Sequence, residues 1–213
     1  MLSLDHDGWA FAEVGRRDPV IARLQAAAPG LRPPLFYSPY EAAAWCIISA
    51  RRPAHRMAEV RRQLSEAYGQ TFAVAGETIA ALPTPERLLD VDSFPGLSGD
   101  QIGRLHGVAT AALAGELDVE HIQGQALEEA MVGLQTLPGI GPFYSSLIVV
   151  RSAGLADVAV FEPRAMALAA RLWDLPDVPT EDEFSAMAER WKPFRTWAVV
   201  LVRAAAARVL AVG

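Results

Sequence analysis

Apolar residues recur at helical spacing through almost the whole chain, and only short breaks separate the segments that carry this pattern. No segment keeps the strict alternation of a half-buried strand for long, so the pattern predicts a mainly α-helical protein. Helix starts are marked as well: Ser38-Pro39 and Thr84-Pro85 place a capping hydroxyl before a first-turn proline, and residues Thr180 to Glu183 form a capping box. Because the breaks are short, we expect the helices to pack as one body.

The expected fold class is therefore all-α. A chain of 213 residues with 52% hydrophobic content can bury a core as one large domain or as one domain of two lobes. The β-branched segment at 158–161 is expected to be extended without joining a sheet. The predicted helices span residues 7–15, 18–28, 38–50, 53–68, 74–81, 85–91, 98–114, 118–123, 126–136, 142–152, 162–173, 180–188 and 193–211.

The composition argues against several classes of protein. No apolar run approaches the roughly 20 residues that cross a bilayer, and the first residues lack the apolar core of a signal peptide, so we expect a cytoplasmic protein without membrane contact. The single cysteine, Cys46, excludes an intramolecular disulfide, a CxxC zinc site and a four-cysteine iron-sulfur cluster. None of the four histidines has a partner at ligand spacing, which predicts no zinc or iron.

The charge of the chain does not favour a bulk nucleic-acid binder. A formal net charge of −6 lacks the broad basic face that such proteins use. The basic residues are unevenly placed, however, because five arginines and a histidine fall within residues 51–62. A local basic patch is therefore compatible with the acidic total.

The segment at 134–146, LQTLPGIGPFYSS, breaks a helical pattern for five residues and then resumes it. Gly139 permits a positive φ or a close approach, and Pro142 suits the first position of a new helix. Gly141 removes the side chain where that helix begins and leaves bare amide N–H groups at its N-terminus, which is an arrangement that binds anions such as a phosphodiester. An ordinary helix–helix turn is the alternative, and the flanking sequence has to decide between them.

The flanks resemble those of the helix-hairpin-helix base-excision DNA glycosylases, and within that superfamily the 3-methyladenine DNA glycosylase II branch. The hairpin LPGIGPFYSSLIVVRSAG resembles the family's LPG-hydrophobe-G motif. Three further segments match in the same order, and together the four matches cover about residues 37–210. They are PYEAAAWCIISARRPAHRMAEVRRQLSEAYG, GLSGDQIGRLHGVATAALAGELDVEHI and MAERWKPFRTWAVVLVRAAA.

The resemblance implies a single domain over residues 1–213 of two helical lobes, with the active-site cleft between the lobes. The hairpin lobe would span about 38–150, centred on 126–152, and the second lobe would combine about 1–37 with 155–213. The amides of Gly139 and Gly141 would bind a DNA phosphate. The resemblance also implies that the carbonyls of Gln135, Leu137 and Ile140 could hold a structural Na⁺ or K⁺ ion, and it implies no other cofactor.

The superfamily places a catalytic Asp about twenty residues past the hairpin, where a fixed carboxylate stabilises the positive charge left on the sugar as the base departs. Counting back from Arg171 and Leu172 puts Glu162 at that position. Glu keeps the charge but adds a methylene, which either still serves or displaces the carboxylate by about an ångström and costs about a hundredfold in rate. A one-residue shift would put Pro163 there instead, and an acid is also simply favoured at a helix start.

Other positions of the motif bear on the reaction and the pocket. Members that cleave the strand carry a Lys two residues past the second hairpin glycine, and Phe143 stands there, so the resemblance implies a monofunctional hydrolase. Phe143, Tyr144 and Leu147 would line the base pocket, although a buried core Phe143 is equally compatible with the sequence. Arg51 and its neighbour Arg52 would form the wedge that fills the gap left by a flipped base, or else a solvated charged loop.

The sequence thus predicts a monofunctional glycosylase that removes alkylated purines such as 3-methyladenine from double-stranded DNA, acting as a monomer in the cytoplasm, in the manner of a bacterial nucleoid-associated enzyme. One alternative is a DNA-binding relative with weak or lost excision, because Glu replaces Asp. Another is a helical protein of a different kind whose hairpin contacts proteins, which the acidic composition favours.

Overall fold

The computed structural model describes residue 3 and residues 6–211, and these residues are mainly helical, as the sequence predicts. The chain divides into two compact units. The first unit combines residues 1–35 with 154–213, and the second unit is the continuous segment 36–153. Within the described part of the chain, no helix is both long enough and apolar enough to cross a membrane.

The first unit packs its helices around aromatic side chains. Trp191, Phe184 and Trp197 are buried together with aliphatic side chains of the first and last helices. Its elements are α1 (Gly8–Arg17), α2 (Pro19–Ala27), α10 (Pro163–Leu172), α11 (Glu181–Ala188), a short 3₁₀ helix (Glu189–Trp191) and α12 (Arg195–Leu210).

Asp18 connects three elements of the first unit. It ends α1, and its carboxylate begins α2 by accepting the backbone N–H groups of Val20 and Ile21. The other carboxylate oxygen accepts the indole N–H of Trp191 at 2.9 Å. The side chain is fully buried, so a single acid fixes the α1–α2 corner against the 3₁₀ helix.

The second unit carries the predicted glycine hairpin. Its elements are α3 (Pro39–Ser49), α4 (Ala54–Tyr68), β1 (Thr71–Val74), β2 (Glu77–Ala80), α5 (Pro85–Leu89), α6 (Gly99–Leu113), α7 (Val119–Gln123), α8 (Leu127–Gln135) and α9 (Pro142–Ser152). Helix α3 is largely buried and contacts α4, α6 and α9, while α8 packs on α9. The two helices that flank the glycine hairpin therefore pack against each other and against the centre of this unit.

The predicted helix at 74–81 is wrong, because that region forms an antiparallel β-hairpin of β1 and β2 in which Phe72 lies opposite Ile79. The connecting residues Ala75 and Gly76 have φ values of 52° and 86°, which is the two-residue turn that matches the twist of paired strands. The other predicted helices are present, with ends within about two residues of those expected. The segment 158–161 forms neither helix nor strand.

Candidate functional site

The segment 136–141 joins α8 to α9 through a short turn whose tip is exposed at Pro138 and Gly139. Ile140 points inward and is 3% exposed, and its N–H donates to the carbonyl of Leu137 at 3.0 Å. The side-chain amide of Gln135 donates to the buried hydroxyl of Ser145 at 3.2 Å, which links the end of α8 to the start of α9. The turn is therefore anchored from within while its outer side faces solvent.

Gly139 is required by the protein's own structure. Its φ is 93°, a conformation that residues with a side chain rarely adopt. A Cβ added there would lie 2.9 Å from Cδ1 of Ile47 and 3.0 Å from Cδ of Arg104. Both the backbone conformation and the packing against α3 and α6 therefore favour glycine at this position.

Gly141 has no such internal reason. It begins α9 with φ −95° and ψ −175°, which is extended backbone that any residue adopts. An added Cβ would meet no atom within 4 Å, and among the described residues no side chain caps the first turn of α9. Pro142 carries no N–H, so the first-turn amides of α9 that remain are those of Phe143 and Tyr144. The start of α9 thus combines open space with backbone donors.

Phe143 and Tyr144 form an adjacent aromatic pair with ring centroids 5.5 Å apart. Phe143 is 51% exposed, so its interpretation as a core residue is wrong. Leu147 lies one turn further along α9 and is partly exposed. The pKa of Tyr144 is raised, mainly by burial and secondly by Cys46, while the positive charge of Arg51 opposes the increase.

Arg51 and Arg52 lie in the loop between α3 and α4, and both are exposed. Arg51 has φ 56°, in the left-handed region that costs a side-chain-bearing residue about 1–2 kcal/mol. Arg52 is held differently, because its guanidinium donates to the carbonyl of Gly96 at 2.6 Å. The structure therefore distinguishes a strained Arg51, whose charge acts on Tyr144, from an Arg52 tied to the protein backbone.

Glu162 belongs to the first unit, whereas the other candidate residues belong to the second. Its carboxylate begins α10 by accepting the N–H groups of Arg164 at 3.2 Å and Ala165 at 2.8 Å. Arg203 of α12 adds an ion pair at 2.8 Å, and the Glu162 side chain remains 26% exposed. The carboxylate is thus fixed by three donors at a helix N-terminus, which is the capping arrangement that acids favour there.

The pairing of Glu162 with Arg203 joins residues 41 positions apart, so no local sequence signal indicates it. Asp157, the next carboxylate toward the N-terminus, accepts from the Arg195 side chain at 2.8 Å, which links the loop before α10 to the start of α12. The position of Arg104 of α6 against Gly139 likewise has no local sequence signal.

The backbone carbonyls proposed to hold a monovalent cation lie at the end of α8 and in the turn. That of Leu137 already accepts the Ile140 N–H. Among residue 3 and residues 6–211, no three His, Cys, Asp or Glu side chains are grouped so that they could hold a metal ion.

No family model matches the chain. The chain is 31% identical over 184 residues to the DNA-3-methyladenine glycosylase 2 of Escherichia coli, and this match covers 84% of the chain and 62% of that protein. Matches to curated relatives span 40% to 66% of the relatives' own lengths.

Two solved structures share the fold. The 8-oxoguanine glycosylase/lyase of Clostridium acetobutylicum has a TM-score of 0.77 and 20% identity, over 95% of this chain and 72% of that one. The 3-methyladenine DNA glycosylase of Archaeoglobus fulgidus has a TM-score of 0.76 and 17% identity, over 92% of this chain and 68% of that one.

Sequence similarity over most of the chain, together with this shared fold and the glycine hairpin, supports the assignment of the chain to the helix-hairpin-helix superfamily of base-excision DNA glycosylases and to its 3-methyladenine DNA glycosylase II branch.

Proposed function

We propose that the chain is a monofunctional DNA glycosylase that hydrolyses the N-glycosidic bond of alkylated purines such as 3-methyladenine in double-stranded DNA. The observation that carries this proposal is the state of Gly141. Nothing inside the protein requires a glycine there, yet the position opens onto free space at the start of α9. A DNA phosphate that approaches the backbone closely would explain why glycine stands at position 141.

The first-turn amides of α9 suit such a phosphate because backbone N–H groups bind it without a lysine. The hairpin tip is exposed, which leaves the amides accessible. This mode of binding carries no base information, so it positions the duplex while the base pocket provides selectivity. The names of the relatives, which are DNA-3-methyladenine glycosylases, support alkylated purines as the substrate class.

In this proposal Glu162 supplies the catalytic carboxylate. Departure of the base leaves positive charge on the sugar, and a negative group held rigidly beforehand stabilises it at little reorganisation cost. The two amide bonds and the Arg203 pair hold the Glu162 carboxylate in one place. The Arg203 guanidinium also offsets part of the negative charge of the Glu162 carboxylate. Removal of Arg203 should therefore change the rate of base release rather than the place where DNA binds.

The remaining residues take roles consistent with a simple hydrolysis. Phe143 cannot form a Schiff base, so no strand cleavage accompanies base release. The exposed ring of Phe143, with Tyr144 and Leu147 on the same helix, offers an apolar surface to a flipped base. Arg51 would enter the duplex, and Arg52 would support its loop. The enzyme would act as a monomer on intracellular DNA.

The test is base release from a methylated duplex, scored as free 3-methyladenine, by the wild type, Glu162→Gln and Glu183→Gln. Glu183 is the matched control because it also caps a helix of the first unit, by accepting from Thr180. We expect Glu162→Gln to reduce release by about a hundredfold or more. Glu183→Gln should release base at the wild-type rate, since it loses the same charge at a helix start with no proposed role in the reaction.

Each result has a definite meaning. Equal release by both variants would remove Glu162 from the mechanism. Salt-sensitive DNA binding without any release by the wild type would identify a binding protein that has lost excision. Binding that does not depend on salt, together with no release, would reject both DNA-directed functions in favour of protein contacts through the hairpin.

A further inference from the structure

Arg104, a residue of α6 outside the hairpin, lies directly against the hairpin glycine. A Cβ built on Gly139 would be 3.0 Å from Cδ of Arg104 and 3.3 Å from its Nη1. The aliphatic stem and one end of the guanidinium therefore cover the Cα of Gly139. This contact brings a positive charge to the edge of the exposed turn.

The Arg104 guanidinium has no partner among the residues that the structure describes, and its side chain is exposed. Asp100, one turn earlier on the same helix, makes no ion pair with it. Two other arginines of the second unit are ion-paired, since Arg61 pairs with Glu41 and Arg87 pairs with Asp90. A guanidinium carries five N–H donors in a fork that suits phosphate oxygens, and at Arg104 they remain available to a ligand.

The net negative charge of the second unit explains why DNA binding would need a positive charge at this point. Residues 36–153 contain eight arginines, no lysine and thirteen acidic residues, which is a formal charge of −5. A polyanion that approaches this unit is repelled over several ångströms, and the neutral amides at the start of α9 do not offset that repulsion. A guanidinium against Gly139, just before α9 begins, offsets the repulsion close to the proposed phosphate site.

We propose that Arg104 is a DNA phosphate-binding residue, which holds a backbone phosphate at the hairpin together with the first-turn amides of α9. This inference rests on the proposed function, because it assigns a residue to the same DNA-binding surface. It predicts an electrostatic contact without base preference, so damaged and undamaged duplexes should respond alike to its loss.

The experiment measures binding to an undamaged duplex by fluorescence anisotropy across a range of salt concentrations. Arg104→Met keeps the stem that packs on Gly139 but removes the charge, Arg104→Lys keeps the charge, and Arg87→Gln removes an equal charge from an ion-paired site of the same unit. We expect Arg104→Met to bind about tenfold more weakly at low salt and to lower the salt slope by about one. Arg104→Lys should keep the wild-type slope, and Arg87→Gln should bind within about twofold of the wild type.

Base release separates this inference from the function on which it rests. With methylated DNA, Arg104→Met should raise KM and leave kcat unchanged, because phosphate binding is made equally in the ground state and the transition state. If Arg104→Met binds with the affinity and slope of Arg87→Gln while the wild type releases base, Arg104 has no phosphate role and the proposed function stands. If the wild type neither binds with salt sensitivity nor releases base, both are overturned.

Discussion

Gly139 and Gly141 differ in what a side chain would meet at each position. At Gly139 a side chain would meet Ile47 and Arg104, on a backbone with φ 93°. At Gly141 an added Cβ would meet no atom within 4 Å, on an extended backbone. One glycine shapes the turn and the other leaves space beside it, so substitutions at the two positions separate stability from binding.

Gly141→Val should weaken DNA binding for all sequences alike while leaving the melting temperature within about 2 °C of the wild type, because the added side chain fills the space proposed for phosphate and its Cβ lies in open space. Gly139→Ala should instead lower the free energy of unfolding by about 1–3 kcal/mol, through backbone strain and overlap with α3. Thermal unfolding and anisotropy on both variants measure these effects. If Gly141→Val folds and binds DNA with wild-type affinity, the open space at Gly141 is not part of the DNA-binding surface.

Single residues also show which features of the site could be predicted from the sequence and which could not. The glycine spacing and Pro142 indicated the hairpin and the start of α9, since both are local signals. Neither the ion pair of Glu162 with Arg203 nor the packing of Arg104 on Gly139 leaves a local trace, because each depends on side chains brought together by tertiary packing. Exposure of Phe143 likewise depends on which side of α9 is covered.

Caps determine where most of the helices begin. Ser38, Thr84 and Thr180 each accept a first-turn amide, as their sequence positions predicted. The β-hairpin escaped the same approach because its alanines suit a helix. Its two-residue turn ends in Gly76, and the β-branched and aromatic residues on both sides, such as Phe72 and Ile79, were the signal for strands. Elements with their own capping residues are therefore predictable, and an element defined by pairing is less so.

Asp18→Ala should be the most costly cap removal in the first unit. The change removes the cap of α2, which is worth about 1 kcal/mol, and leaves the buried indole N–H of Trp191 without its acceptor, which costs about 1–3 kcal/mol more. Urea unfolding should therefore show a loss of about 2–4 kcal/mol. Thr180→Ala is the control, since that cap is exposed and should cost only about 1 kcal/mol. Equal losses would show that the indole bond adds nothing.

At the scale of the whole molecule, one thiol can report on the integrity of the second unit. Cys46 is the only cysteine of the chain and is 1% exposed within α3, where burial raises the pKa of its thiol to about 12. Because the thiolate is the reactive form, the folded protein should not react with iodoacetamide at pH 8, whereas the urea-unfolded protein should be labelled once per chain. Rapid labelling of the folded protein would show that the second unit opens around α3.

The division of the first unit into two stretches of sequence also affects how the protein is made. Helices α1 and α2 leave the ribosome before the 118 residues of segment 36–153, and their packing partners, the 3₁₀ helix and α12, follow only after that segment. At about 5–20 residues per second, translation separates these partners by on the order of ten seconds. The second unit can fold as it emerges, while the nascent apolar faces of α1 and α2 must wait, so α1 and α2 have more need of a chaperone during synthesis than the second unit has.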